Sequence, residues 1–197
     1  MLELKKELEN IKDSFSRISE IVYKTPVLSS ISINKALKAD ITFKAECLQE
    51  TGSFKLRGAS SAISVLSKEE KSRGVVAFSS GNHAQGIAYA SRELGTSAKI
   101  VMPSDAPKIK IRKTQEYGAE VIFYDRDEDN REEIGFSIAM EEGRKLIKPF
   151  DDLNVIYGQG TAALEVMDEV DTKFDMSVVC CSGGGLAAGT GIVLKNS

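Results

Sequence analysis

The chain has 197 residues, 42% of them hydrophobic and 28% charged, and a net charge of −3. That length can bury the core of one large or two small domains, and the composition is that of an ordinary globular protein. The acidic balance, with no basic stripe, argues against a nucleic-acid surface, and no window is apolar for long enough to span a membrane. The three cysteines, Cys47, Cys180 and Cys181, are an odd set with two adjacent members, which fits reduced thiols better than a disulfide framework or a zinc site. His83 is the only histidine, so His-rich metal sites are excluded. A soluble, cytoplasmic protein with no metal site is expected.

In chain order, MLELKKELENIKDSF reads as a charged helix with no apolar run fit for a signal peptide. In ETGSFKLRGA, Thr51, Gly52 and Ser53 read as turn and N-cap residues, which places Lys55 in the first turn of a helix. VVAFSS (75–80) reads as a buried strand, followed by a helix through HAQGIAYASREL that stops at Gly95. AKIVMPS (98–104) is the next strand, and APKIKIRKTQEYG a helix ending at Gly118. EVIFYD (120–125) is another strand, ahead of a charged helix over about 128–147, in which DRDEDNREE is a solvated entry rather than a metal site. IKPFDDLN, with Pro149, has little periodicity and reads as a crossing between two lobes. NVIYG (154–158) begins a further unit, with a helix through TAALEVMDEV. MSVVCCS (176–182) reads as a strand running into a glycine loop and a last helix, LAAGTGIVLKN. Strands alternating with helices predict an α/β, two-lobed chain of mostly parallel sheets flanked by helices. The small domain is expected over 74–147, inserted into a large domain made from 1–73 and 148–197.

Three loops at strand or helix ends hold the candidate chemistry. Lys55 feels the positive end of a helix dipole, and its apolar neighbours add desolvation. Both disfavour the ammonium form and favour a nucleophilic amine suited to Schiff-base chemistry. The alternative is an exposed lysine near a helix start. SSGNHAQG follows a strand, where open α/β sheets bind ligands, and its helix amides could hold a carboxylate. Its alternative is a capping loop in which Ser79 or Ser80 and Asn82 satisfy backbone donors. In CSGGGLAAGTG, successive glycines let backbone amides approach a phosphate with a helix dipole behind them. Gly183, Gly185 and Ala188 fit a loose G-x-G-x-x-A pattern, but the acidic residue expected about 20 positions on is missing, as is the lysine of a P-loop. A single phosphate is the better ligand. An amine, a polar loop and a one-phosphate cup together point to pyridoxal 5′-phosphate.

ETGSFKLRGA, SSGNHAQG and SGGGLAAG, in this order, resemble the fold-type II pyridoxal-phosphate enzymes (tryptophan synthase β-like), and within them the serine/threonine dehydratases and serine racemases. YKTPV, YGAEV and YGQGTAALEV extend the resemblance from about Ile21 to the chain end. It implies that Lys55 forms the Schiff base with the cofactor, that Phe54 lies beside the cofactor ring, and that Asn82 bonds the ring's 3′-oxygen. Ser182, Gly183, Gly184, Gly185 and Leu186 match the phosphate cup. Ser79, Ser80 and His83 match the loop that holds the substrate carboxylate, with Ser80 the acid/base in racemases and Arg131 in the place of a carboxylate-contacting arginine. Ser182 departs from the usual tetraglycine by replacing its first glycine. The family's chains run beyond Ser197, so this chain resembles their N-terminal part, C-terminally truncated. The part beyond holds the contact to the pyridine nitrogen and the racemases' divalent-cation ligands. The implied activity is an ammonia-lyase (dehydratase) acting on L-threonine, L-serine or a 3-hydroxyaspartate. A serine racemase and a non-catalytic homologue are the alternatives, and a homodimer is the implied assembly. A dinucleotide-binding oxidoreductase would rest on the glycine loop alone and leave TGSFK unexplained.

Overall fold

Buried residues at seven-residue spacing, Ile11 and Ile18 with Ser14 between them, set one face of α1 (Leu2–Ile18) against the body of the molecule. The computed structural model describes residues 2–171 and 173–196, with side chains from Leu4 onward. After α1 come β1 (Val27–Ser29), α2 (Ile31–Leu37) and β2 (Thr42–Lys44), with β1 and β2 paired as an antiparallel ribbon. α3 (Lys55–Ser64) and α4 (Lys68–Arg73) lead to β3 (Val75–Phe78). α4 carries a reciprocal cap: Ser67 accepts from the Glu70 amide and Glu70 accepts from the Ser67 amide.

From β3 onward the chain alternates. α5 (Asn82–Glu93), β4 (Ala98–Pro103), α6 (Lys108–Glu116), β5 (Glu120–Tyr124), α7 (Arg131–Glu142) and β6 (Lys145–Leu146) follow in turn. The four strands form one parallel sheet in the order β5-β4-β3-β6. The pleat explains why both sides are apolar: Val75, Ala77, Ile100 and Met102 face Ala84, Ile87 and Ala88 of α5, while Val76, Phe78 and Val101 face Ile134 and Ile138 of α7. The molecule is α/β, a parallel sheet with helices on both faces. α8 (Leu153–Glu169) and α9 (Gly185–Leu194) complete it, α8 packed on α1 and α3, and α9 on α8 and α1.

Several sequence expectations change. The helix expected over 128–147 stops at Glu142, because Gly143 takes a left-handed φ of 63° that turns the chain into β6. NVIYG is the first turn of α8 itself, capped by Asp152. MSVVCCS is not a strand: Met176 and Val178 are 77% and 90% exposed, and no described strand lies beside the segment. Its β-propensity has no neighbour to pair with, and a lone strand leaves its backbone groups to water. Outside the four-stranded sheet, the described residues therefore contain helices and a short antiparallel ribbon, and no second parallel sheet.

Candidate active site

Lys55 is the first residue of α3. The N-cap is Phe54, already in the helical region, and no side chain caps the helix. Ser53 is not the cap that its type predicts. The Arg57 amide closes a tight turn onto the Phe54 carbonyl at 3.0 Å, and Ser53 Oγ is buried without a partner. The half-buried Lys55 Nζ donates to the Pro149 carbonyl at 2.7 Å and lies 5.4 Å from the Phe54 ring centre. Burial holds its pKa below the usual lysine value, with the nearby Cys180 opposing the shift.

The strand β3 delivers the second loop. Ser79 and Ser80 are half-buried, and the N-cap of α5 is Gly81, with no side-chain cap bond. Ser79 Oγ accepts from the Gly81 amide at 3.2 Å, so Ser79 does satisfy a backbone donor of the loop, but it does not cap α5, whose N-cap Gly81 leaves the first amides without a side-chain cap. Asn82 is exposed, its Oδ1 accepting from Lys110 Nζ at 2.6 Å. His83 is buried and lies within hydrogen-bond distance of the Ile147 carbonyl, at 3.3 Å through Nε2. Burial pushes its pKa down to about 4, helped by the charge of Lys55 and opposed by the Ile147 carbonyl. Arg131, the first residue of α7, rests over the Phe78 ring at 5.5 Å, which puts it at the same strand end as Ser79 and Ser80.

Ser182 and Gly183 are exposed ahead of α9, whose N-cap Gly184 takes φ 88°, open to glycine at little cost. With no side-chain cap, the first amides of α9 are open to an anion. Leu186 follows in that turn, half-buried. A Cβ at Gly183 would overlap the Phe150 ring, and one at Gly185 would lie 3.2 Å from the Phe150 carbonyl. The strap Ile147–Phe150 therefore links all three loops: one carbonyl to His83, one to Lys55, and an aromatic ring against the glycine turn. Pro149 marked only a crossing in the sequence, and nothing there signalled these contacts.

Arg57, two residues after Lys55, was also missed. It is fully buried and donates to both oxygens of Glu46 (2.8 and 2.8 Å) and both of Glu165 (2.7 and 2.8 Å). Thr161 Oγ1 and the Tyr23 carbonyl accept further bonds at 3.2 and 3.1 Å. Lys44 pairs with Glu165 at 2.7 Å. The bidentate geometry fixes the start of α3 against α8 and the residues after β2.

Comparison with known proteins decides the family. The family model described as "Pyridoxal-phosphate dependent enzyme" matches residues 18–197. The chain belongs to this family. It is 48% identical over 187 residues to L-threo-3-hydroxyaspartate ammonia-lyase of Saccharomyces cerevisiae, covering 95% of this chain and 57% of that protein. It is 44% identical over 188 residues to a serine racemase of Schizosaccharomyces pombe, covering 95% and 58%. The crystal structure of serine racemase from Dictyostelium discoideum superposes with a TM-score of 0.91 at 43% identity, covering 96% of this chain and 61% of that one. The chain thus spans less than two thirds of the length of these pyridoxal-phosphate family relatives. Its residues fit the family's cofactor, because a partly desolvated amine and an uncapped glycine turn of α9 face the same strap.

Proposed function

We propose that this chain carries the lysine site of a pyridoxal-phosphate-dependent ammonia-lyase that converts L-threonine, L-serine or a 3-hydroxyaspartate to a 2-oxo acid and ammonia. The observation that carries this reading is Lys55, a half-buried amine of lowered pKa at a helix start, held beside the glycine turn by the Pro149–Phe150 strap. Pyridoxal phosphate, when bound, supplies an electron sink for the charge left at the substrate Cα. Lys55 Nζ would hold the cofactor and, once freed, take the Cα proton; its burial lowers its pKa in the direction that favours the neutral amine. The open amides of α9, with Ser182, Gly183, Gly184, Gly185 and Leu186, hold the phosphate. Phe54 would lie beside the cofactor, and Asn82 would offer its side-chain amide to it. Ser79, Ser80 and the open amides of α5 receive the substrate carboxylate, with Arg131 adding a cation at the same strand end. In sum, the substrate loses its Cα proton and β-hydroxyl as water, and hydrolysis then releases its nitrogen as ammonia.

The similarity to serine racemases supports a second outcome at the same site, with Ser80 returning a proton to Cα and giving the D-amino acid. The sheet lies wholly within 75–146, which supports 74–147 as the smaller domain and 1–73 with 148–197 as the larger. A homodimer in the cytoplasm is the setting we propose. Among the described residues, no group of three or more His, Cys, Asp or Glu side chains could hold a divalent cation.

The test combines borohydride reduction and peptide mapping of the chain with pyridoxal phosphate, and assays of 2-oxo acid and D-serine. The reduced adduct is expected on Lys55, and Lys55→Ala should abolish both products. An adduct elsewhere, or wild-type turnover in Lys55→Ala, refutes the assignment.

A further inference from the structure

The first turns of α5 and α6 are neighbours, because both helices leave the same end of the parallel sheet, α5 after β3 and α6 after β4. Lys110, the third residue of α6, donates from Nζ to Oδ1 of Asn82, the first residue of α5, at 2.6 Å. Its backbone is pinned on both sides. The Lys110 amide donates to the Pro107 carbonyl at 2.8 Å, and the hydroxyl of the buried Thr114 donates to the Lys110 carbonyl at 2.8 Å.

This bond decides which way the Asn82 amide faces. An ammonium has donors and no acceptor, so only the oxygen of a carboxamide can meet it. With Oδ1 taken, the NH2 end is left over, and it has no hydrogen-bond partner among the described residues. The cation is also set against the helix dipole. The first turn of α6 holds Lys108 and Lys110 and no acidic residue, and its N-cap Pro107 makes no side-chain bond. A positive charge at that end does not stabilise the helix, so Lys110 gains its partner outside it. Resting on the reading of Asn82 as a cofactor contact, we propose that Lys110 is the positioning residue of Asn82: it takes the amide oxygen and leaves the NH2 end to pyridoxal phosphate, whose oxygens are acceptors. An exposed carboxamide without such a partner turns either end to a ligand, and the wrong end sets an oxygen against an anion. The charge on the donor strengthens the bond and polarises the amide, which makes the remaining N–H groups better donors.

The cofactor-free chain gives the first reading. In the ¹⁵N-labelled protein the Asn82 side-chain NH2 signals, identified by their loss in Asn82→Ser, should shift in Lys110→Met and return toward their place in Lys110→Arg. Signals indifferent to Lys110→Met overturn the proposal. The second reading is the pyridoxal phosphate concentration that half-saturates the Lys55 adduct, trapped with borohydride and located by peptide mapping. It should rise about tenfold in Lys110→Met, the worth of one hydrogen bond, and recover in Lys110→Arg. Lys108→Met removes an exposed cation from the same helix turn and should leave it unchanged. Asn82→Ala should raise it at least as far, and adding Lys110→Met to Asn82→Ala should cost nothing more. A full second loss in the double variant, or a loss in Lys108→Met equal to that in Lys110→Met, means general attraction of an anion and overturns the proposal while the lyase reading stands. The absence of any adduct on Lys55 sinks the lyase reading and this proposal with it.

Discussion

Burial sets the sign of the pH response at His83. The folded ring titrates near pH 4, against 6.5 for an unhindered histidine. Above pH 6.5 both folded and unfolded forms are neutral, and the group contributes nothing. As pH falls through 6.5 the unfolded chain binds a proton that the folded chain refuses, so stability drops until pH 4, where the loss levels off at about 3 kcal/mol. Urea unfolding at pH 7 and pH 4.5 should show the wild type losing about 2–3 kcal/mol more than His83→Gln over that interval. Equal losses would show a ring that titrates as if solvated. Lys55 was legible because TGSFKLRGA places one lysine between apolar residues after a turn. The depth of His83 was not. Its contact is a backbone carbonyl 64 residues away, and carbonyls leave no mark in residue type.

A helix that presents a reactive lysine at its first position must have that position fixed, and α3 does this with Arg57 rather than a cap. Replacing the guanidinium by an apolar chain takes the bidentate partner from the almost fully buried Glu165, leaving it Lys44 alone, and from Glu46, leaving it the Thr25 hydroxyl. Arg57→Met should cost about 3–5 kcal/mol in urea unfolding. A loss under about 1 kcal/mol would mean that the two carboxylates find water or protons instead. Elements with both faces apolar, such as β3 and β4, and helices ended by glycine, such as α5 and α6, were readable from pattern alone. Arg57 was not, because a charged residue in a helix start reads as surface until three distant segments close over it. MSVVCCS failed for the opposite reason: its local preference is strong, but strand formation needs a neighbour, and local sequence does not supply one.

At the scale of the molecule, that segment exposes Met176 and Val178 and pairs with no described strand, the kind of apolar edge through which chains associate. Val178→Lys is expected to reduce self-association measured by light scattering while changing unfolding stability by no more than about 0.5 kcal/mol. Unchanged association would place the contact elsewhere, with the exposed Ile31 and Leu37 of α2 the next surface to alter. The strap described above has a mechanical side. It joins the last strand of the sheet to α8, and its carbonyls meet α5 through His83 and α3 through Lys55. Tension between β6 and α8 would load both bonds in parallel, so they share the force and give way together. A short tether with two pins is stiff for its length, and the travel of the lysine head is limited by that stiffness as well as by its own flexible stem.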